Sequence, residues 1–224
     1  MAHTPRQAPP DLVIFDCDGV LVDSEGVANA MLARAVTQLG WPTTAAQSHA
    51  RFRGRSMASA VTLIEAELGC PVPDGWGIKT QDAITQAVVA EVTAIPGAAA
   101  LVAKVAAAGV HRCVASSSTP AYLRQVLART QLDRHFGAAV YSATMVAAGK
   151  PAPDLFMFAA ARMRRLPAGA VVIEDTVPGV MAGVAAGMQV IGYAGDPYTD
   201  ADALARAGAT VVRDMAQVPA LLGL

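Results

Sequence analysis

Asp16 and Asp18 stand at i and i+2 directly after the apolar run Leu12–Phe15, and Gly19 closes the turn behind them. An apolar run that stops abruptly in acids reads as a buried strand delivering carboxylates at its end. One such carboxylate could attack an electrophile, and the other could give and take a proton. Asp-Gly is also an ordinary turn dipeptide, so on these residues alone the turn reading stays open. Glu174 and Asp175 end a second apolar run, 171–173. Brought beside Asp16, they would repel one another and raise one another's pKa. A hard divalent cation such as Mg²⁺ resolves that repulsion, because it takes carboxylate oxygens together with substrate phosphate. The alternative for Asp175 is a helix N-cap, since Pro178 lies just inside a helix start. Ser116 opens a Ser-Ser-Ser-Thr run before another helix, where hydroxyls and backbone N–H groups could cradle a phosphate. Lys150, in Gly149-Lys150-Pro151, would add a point charge. A capping loop and a solvated lysine are the plain alternatives for these two.

The elements around these residues give the positions meaning. After Pro96-Gly97, helix signals over 98–108, 119–130, 154–163, 178–186 and 201–207 alternate with strand signals over 110–115, 138–142, 171–173, 190–193 and 210–212. That alternation predicts an α/β fold with a doubly wound, Rossmann-like parallel sheet. Residues 26–92 carry no strand signal. Apolar spacing there predicts helices from about 28 to 39, over 57–68 and over 82–93. The expected organisation is a catalytic core of 11–24 with 94–224, an inserted all-helical cap of 25–93 and a flexible tail of 1–10. Ligands bind an open parallel sheet at the carboxyl ends of its strands. Asp16, Ser116, Lys150 and Glu174-Asp175 all fall on that one rim, and this coincidence outweighs the plain reading of each residue alone.

Composition narrows the function class. The 224 residues carry a formal net charge of −1, which leaves no electrostatic footprint for nucleic acid or anionic lipid. Mean hydropathy is high, but 48 residues are alanine and only 5% are aromatic. The charge-free window Thr176–Gly195 holds Pro178 and five glycines, so it reads as a helix followed by a buried strand and not as a membrane span. Glycines at 179, 183 and 187 read as a small-residue face that lets this helix sit close on the sheet. Three widely spaced cysteines without a C-x-x-C pair suit reduced thiols in the cytoplasm. The four histidines show no ligand spacing.

The stretch from Phe15-Asp16-Cys17-Asp18-Gly19 to Asp23-Ser24-Glu25 resembles the first motif of the haloacid dehalogenase superfamily of phosphohydrolases. The Ser116 loop, Gly149-Lys150-Pro151 with Pro153-Asp154, and Val172–Thr176 with Gly179 are similar to its other three motifs, in the same order. The helical insert resembles the cap of the β-phosphoglucomutase-like branch. This resemblance implies that Asp16 is the nucleophile, forming an aspartyl-phosphate. It implies that Asp18 is the general acid for the leaving alcohol and then the base for water. Mg²⁺ would be held by Asp16, the backbone carbonyl of Asp18, Asp175 and Glu174, the last directly or through water. Ser116 and Lys150 would hold phosphoryl oxygens. Ser117, with Glu25, Arg53, Gly54 and Arg55 of the cap, would bind the substrate.

The implied reaction is Mg²⁺-dependent hydrolysis of a small phosphomonoester, a sugar or sugar-acid phosphate, by a monomeric cytoplasmic enzyme with no nucleic-acid or membrane partner. The alternative is a phosphosugar mutase of the β-phosphoglucomutase type. Where such mutases carry a His and an Arg, this chain has Ala28 and Met57, which favours hydrolysis. The cap loop Arg51-Phe52-Arg53-Gly54 is similar to that of sugar-phosphate phosphatases in the branch. Two guanidiniums at Arg53 and Arg55 suit an anionic or polyhydroxylated leaving group. A solvated loop edge is the alternative for them.

Overall fold

The computed structural model describes residues 8–52 and 55–224. They divide into two compact units, one reaching to Asp23 and resuming from Thr93 to Leu224, the other Ser24–Val92. Residues 1–7 of the expected tail lie outside the described residues, whereas Pro10, placed in that tail by the sequence, is buried.

The first unit holds β1 (Leu12–Phe15), β2 (Val22–Asp23), β3 (Thr93–Ala94), β4 (His111–Ser116), β5 (Val140–Ser142), β6 (Ala170–Glu174), β7 (Gln189–Tyr193) and β8 (Thr210–Val212). Four helices, α1 (Glu25–Gln38), α2 (Ala45–Phe52), α3 (Met57–Leu68) and α4 (Trp76–Glu91), make up the second unit. The first unit continues with α5 (Ala98–Ala107), α6 (Pro120–Arg129), α7 (Asp133–Phe136), α8 (Asp154–Arg162), α9 (Val177–Ala185), α10 (Ala201–Arg206) and α11 (Val218–Leu222).

Six strands form one parallel sheet in the order β5-β4-β1-β6-β7-β8. The chain winds outward from β1 to β4 and β5, then crosses back to β6, so the order reverses around β1. This is the α/β, doubly wound fold the sequence predicts. Strand β1 is buried on both faces, which explains its unbroken Leu-Val-Ile-Phe run. On one face Leu12, Ile14, Cys113, Ala115 and Val172 join Leu155 and Phe156 of α8 and Val180 of α9. Elsewhere Phe15 meets Phe136 of α7 edge-on, with ring centroids 5.9 Å apart.

Boundaries mostly follow the apolar pattern, and the charge-free window is α9 followed by β7. Glycine lets α9 sit close on the sheet: a Cβ on Gly183 would stand 2.7 Å from Val190 Cγ2. The two-residue strands β2 and β3 were not legible in the sequence. They pair antiparallel, Val22 with Ala94 and Asp23 with Thr93, where the chain leaves and re-enters this unit. Two residues are too few to show a period of two.

In the second unit α1 packs against α2 and α4, and α3 against α4. The expected helices 28–39 and 57–68 are α1 and α3. The third begins at Trp76, not Asp82, because its buried stripe opens with the polar Thr80 before Ile84 and Val88. Helix α2 was not expected; residues 40–56 read as a connection. Its buried side chains are Ser48, His49 and Phe52, so it carries no apolar period. Its start was nevertheless written in the sequence. The Thr44 amide donates to Gln47 Oε1 at 2.9 Å, and the Gln47 amide donates to Thr44 Oγ1 at 3.2 Å, a reciprocal capping box.

Candidate active site

Asp16 follows β1 and is buried, its amide donating to the Ile173 carbonyl of β6 at 3.0 Å. Behind it the Cys17 carbonyl accepts from the amides of Leu21 at 2.8 Å and Val22 at 3.0 Å, which folds residues 17–22 into a tight loop. Gly19 adopts φ +79° in that loop, and a Cβ there would overlap the Asp175 carboxylate. The turn reading of Asp-Gly is therefore true and incomplete: the turn exists, and it lets an acid from β6 come up against the β1 loop.

Asp16, Glu174 and Asp175 each offer a carboxylate oxygen within 4.8 Å of the others, and all three are buried. Lys150 stands against two of them, with Nζ 2.5 Å from Asp16 Oδ1, 2.7 Å from Glu174 Oε1 and 3.2 Å from the Ala115 carbonyl. Its ammonium also lies 5.0 Å from the Phe156 ring centroid. The Lys150 side chain is only 6% exposed, so the solvated-lysine reading falls.

Burial works to lower the Lys150 pKa, but the Asp16 and Glu174 carboxylates overcome it and hold the ammonium above its ordinary range. Burial pushes Asp16 from 3.8 up to about 7; Lys150 opposes that rise and Glu174 adds to it. Three buried carboxylates against one ammonium leave an excess of negative charge, and an all-oxygen acidic set of this kind fits a hard divalent cation.

Glu174 is held on both oxygens. Oε1 takes the lysine, and Oε2 accepts from the Thr176 amide at 2.8 Å and from Thr176 Oγ1 at 2.9 Å. Thr176 is also the N-cap of α9, accepting from the Gly179 amide at 3.2 Å, with Pro178 in the first turn. The N-cap is thus one residue later than the alternative for Asp175 placed it, and capping does not account for Asp175. A Cβ on Gly179 would overlap the Glu174 carboxylate, so this glycine makes room for an acid, whereas Gly183 is the one that faces the sheet residues Val190 and Val172.

Ser116 is the last residue of β4 and buried; its Oγ accepts from the Ser118 amide at 3.1 Å. Ser117 is exposed beside it. Thr119, not Ser116, caps α6. The Asp18 side chain is not in the acidic group. Its Oδ1 accepts from Tyr122 Oη at 2.5 Å and its Oδ2 from Ser118 Oγ at 2.8 Å. Sequence reasoning took Ser118 only as part of the Ser-Ser-Ser-Thr run, with no tie to Asp18, and passed over Tyr122. The only hint was their place at a helix start following the β4 rim.

In the helical unit, Glu25 opens α1. Asn29 Nδ2 donates to the Glu25 carbonyl at 2.9 Å and to Glu25 Oε2 at 3.0 Å. Ser48 Oγ donates to Asn29 Oδ1 at 3.1 Å, and Asn29 Nδ2 lies 3.3 Å from His49 Nδ1. His49, which its spacing left without a role, is thus a member of a buried polar group. Arg53 and Gly54 lie outside the described residues. Arg55 is exposed, its Nε donating to the Arg51 carbonyl at 3.0 Å. Arg51 and Phe52 end α2 and are not loop, and the Arg51 guanidinium lies 4.7 Å from the Trp41 ring centroid. Among the described residues no helix is long and apolar enough to cross a membrane.

A model of the haloacid dehalogenase-like hydrolases matches residues 10–187. The chain is 32% identical over 196 residues to a bifunctional riboflavin kinase/FMN phosphatase of Arabidopsis thaliana, an alignment covering 85% of this chain and 51% of that protein. The chain therefore spans about half the length of that relative. It is 27% identical over 194 residues to the 6-phosphogluconate phosphatase of Escherichia coli (strain K12), covering 84% of each. A crystal structure of a hydrolase from Deinococcus radiodurans R1, with bound phosphate and sodium, superposes with a TM-score of 0.86 at 33% identity, over 97% of this chain and 96% of that one. An α/β sheet with its acids on one rim, and a family match over most of the sequence, lead to one conclusion: the chain belongs to the haloacid dehalogenase-like hydrolases.

Proposed function

We propose that the protein is a Mg²⁺-dependent phosphomonoester hydrolase acting on a small phosphorylated metabolite, a sugar or sugar-acid phosphate, through an aspartyl-phosphate on Asp16. The observation that carries this reading is the buried charge set itself: Asp16, Glu174 and Asp175 around a single Lys150. Asp16 and Asp175 would supply ligand oxygens to the ion, together with the Asp18 backbone carbonyl. Glu174, already accepting on both oxygens, would balance charge through water. The ion, when bound, neutralises phosphate charge and favours the ionised carboxylate of Asp16.

Asp16 then attacks phosphorus, and the bond from phosphorus to the leaving oxygen breaks. Asp18 gives its proton to that oxygen, so the alcohol departs neutral. Water next attacks the phosphoryl group, Asp18 takes the water proton, and the Asp16 carboxylate is released with phosphate. Lys150 and the Ser116 turn stabilise the charge on the phosphoryl oxygens. Leaving-group preference is assigned to Ser117 of the core and to Glu25, Arg53, Gly54 and Arg55 of the cap. The free thiols of Cys17, Cys70 and Cys113 support a reducing, cytoplasmic setting.

The test is p-nitrophenyl phosphate turnover with and without Mg²⁺, followed by acid quench and mass spectrometry of the Asp16 peptide. Asp16→Asn should remove both turnover and the phosphoryl mass. Turnover within about tenfold of the unaltered protein refutes the nucleophile. Full activity after exhaustive chelation refutes the metal.

A further inference from the structure

The Asp18 carboxylate is held at both oxygens by hydroxyls from the loop after β4 and from the first turn of α6. Tyr122 Oη donates to Oδ1 at 2.5 Å, and Ser118 Oγ donates to Oδ2 at 2.8 Å. Each donor is itself anchored. The Tyr122 amide is capped by Thr119 Oγ1 at 3.4 Å in the first turn of α6. The Ser118 amide donates to Ser116 Oγ at 3.1 Å, and the Ser118 carbonyl accepts from Ser142 Oγ at 2.8 Å. The loop after β4 is thus tied back to β5 and to its own serine. Asp18 and Tyr122 are 104 residues apart in sequence, so local chain geometry does not produce this contact.

A half-buried carboxylate with room to rotate would be a poor proton donor, because a general acid works only within hydrogen-bond reach of its target and in the right orientation. We propose that Tyr122, with Ser118, is a positioning residue for the acid–base step: Tyr122 keeps Oδ1 throughout, and Ser118 holds Oδ2 in place until the oxygen of the leaving group takes over that contact. In the first half-reaction the proton on Oδ2 moves to that oxygen as the phosphorus–oxygen bond breaks and the phosphoryl group passes to Asp16. In the second, Oδ2 takes a proton from the attacking water, which restores the acid. Tyr122 exchanges no proton in either half. The inference rests on the phosphatase reading above and adds to it the tyrosine that fixes which carboxylate oxygen works.

The test uses the full chain with Mg²⁺ and a series of aryl phosphates of similar size, from p-nitrophenyl to phenyl phosphate. The parameter kcat/KM reports the step in which the leaving group departs, and p-nitrophenolate departs without a proton whereas phenolate needs one. Tyr122→Phe should widen the ratio of kcat/KM between p-nitrophenyl and phenyl phosphate by about tenfold. Asp18→Asn should widen it further and set the ceiling. Ser118→Ala should widen it less, and Ser118→Thr, which keeps the hydroxyl, should restore it. A ratio within about twofold of the unaltered enzyme in an active Tyr122→Phe variant overturns the positioning role, as does an equal loss on both substrates. Should Tyr122→Phe not fold, the Ser118→Ala and Ser118→Thr pair decides by the same ratio. An unaltered protein that hydrolyses no aryl phosphate overturns the phosphatase reading first, and this inference with it.

Discussion

Gly19 and Asp175 share a space that only one side chain can fill. With a Cβ on Gly19, the Asp175 carboxylate could not stand where it does, and the turn would have to leave φ +79° as well. Gly19→Ala is therefore expected to act at the proposed metal site and not merely to stiffen a loop. The strained backbone should cost about 1–3 kcal/mol of stability, and the displaced acid should weaken Mg²⁺ binding at least about tenfold. Urea melts and an Mg²⁺ titration of activity check the two parts. A variant with unchanged Mg²⁺ dependence would show that Asp175 is not a ligand.

The raised pKa of Asp16 makes stability depend on pH and on metal together. Its folded value of about 7 lies above the ordinary 3.8, so between these values the folded chain holds a proton that the unfolded chain has lost. Stability of the chelated protein should therefore fall as pH rises from 4 to 7, by a few kcal/mol in all, on the order of 3–4. Lys150, raised above its ordinary value, stays charged throughout this window and does not change the sign. Mg²⁺ competes with that proton, so the rise in Tm on adding it should be larger at pH 7.5 than at pH 5. Equal shifts at the two pH values would sink the assignment.

Lys150 answers two carboxylates at once, so its removal is not a single-contact loss. Lys150→Met in chelator should destabilise the fold by about 3–5 kcal/mol, because it leaves buried charge uncompensated. Adding Glu174→Gln removes one of those charges, and the double variant should recover about 1 kcal/mol or more relative to the sum of the single costs. Additive costs in denaturant melts would show that the three groups do not act as one unit.

Arg53 and Arg55 are assigned to the leaving group, which p-nitrophenyl phosphate imitates poorly. Loss of a charge-assisted contact should cost about 1.5–3 kcal/mol, which is about 10- to 150-fold in kcat/KM. For Arg53→Ala and Arg55→Ala that loss should fall on sugar-acid phosphates, the proposed substrate class, and largely spare p-nitrophenyl phosphate. Equal effects on both substrates, or none on either, would remove these arginines from the specificity set.

The sequence by itself determined the sheet, the helical insert and the four rim segments that carry Asp16, Ser116, Lys150 and Glu174-Asp175. The reason is physical: β1 and β6 are buried on both faces, so their apolar runs are unbroken and stop at the carboxylates Asp16 and Glu174. Helix α2 escaped because its buried face is Ser48, His49 and Phe52, and polar burial leaves no apolar period. Strands β2 and β3 escaped because a two-residue pairing has no pattern to read. Other facts belong to tertiary structure alone: that Lys150 bonds Asp16 and Glu174 at once, that Gly19 and Gly179 make way for acids, and that Asp18 is clamped by Tyr122 and Ser118. Apart from Gly179, which meets the acid five residues before it, each joins residues from different βα units whose side-chain types are unremarkable where they stand. Parallel packing at one end of the sheet, and not any local preference, sets the distance between them.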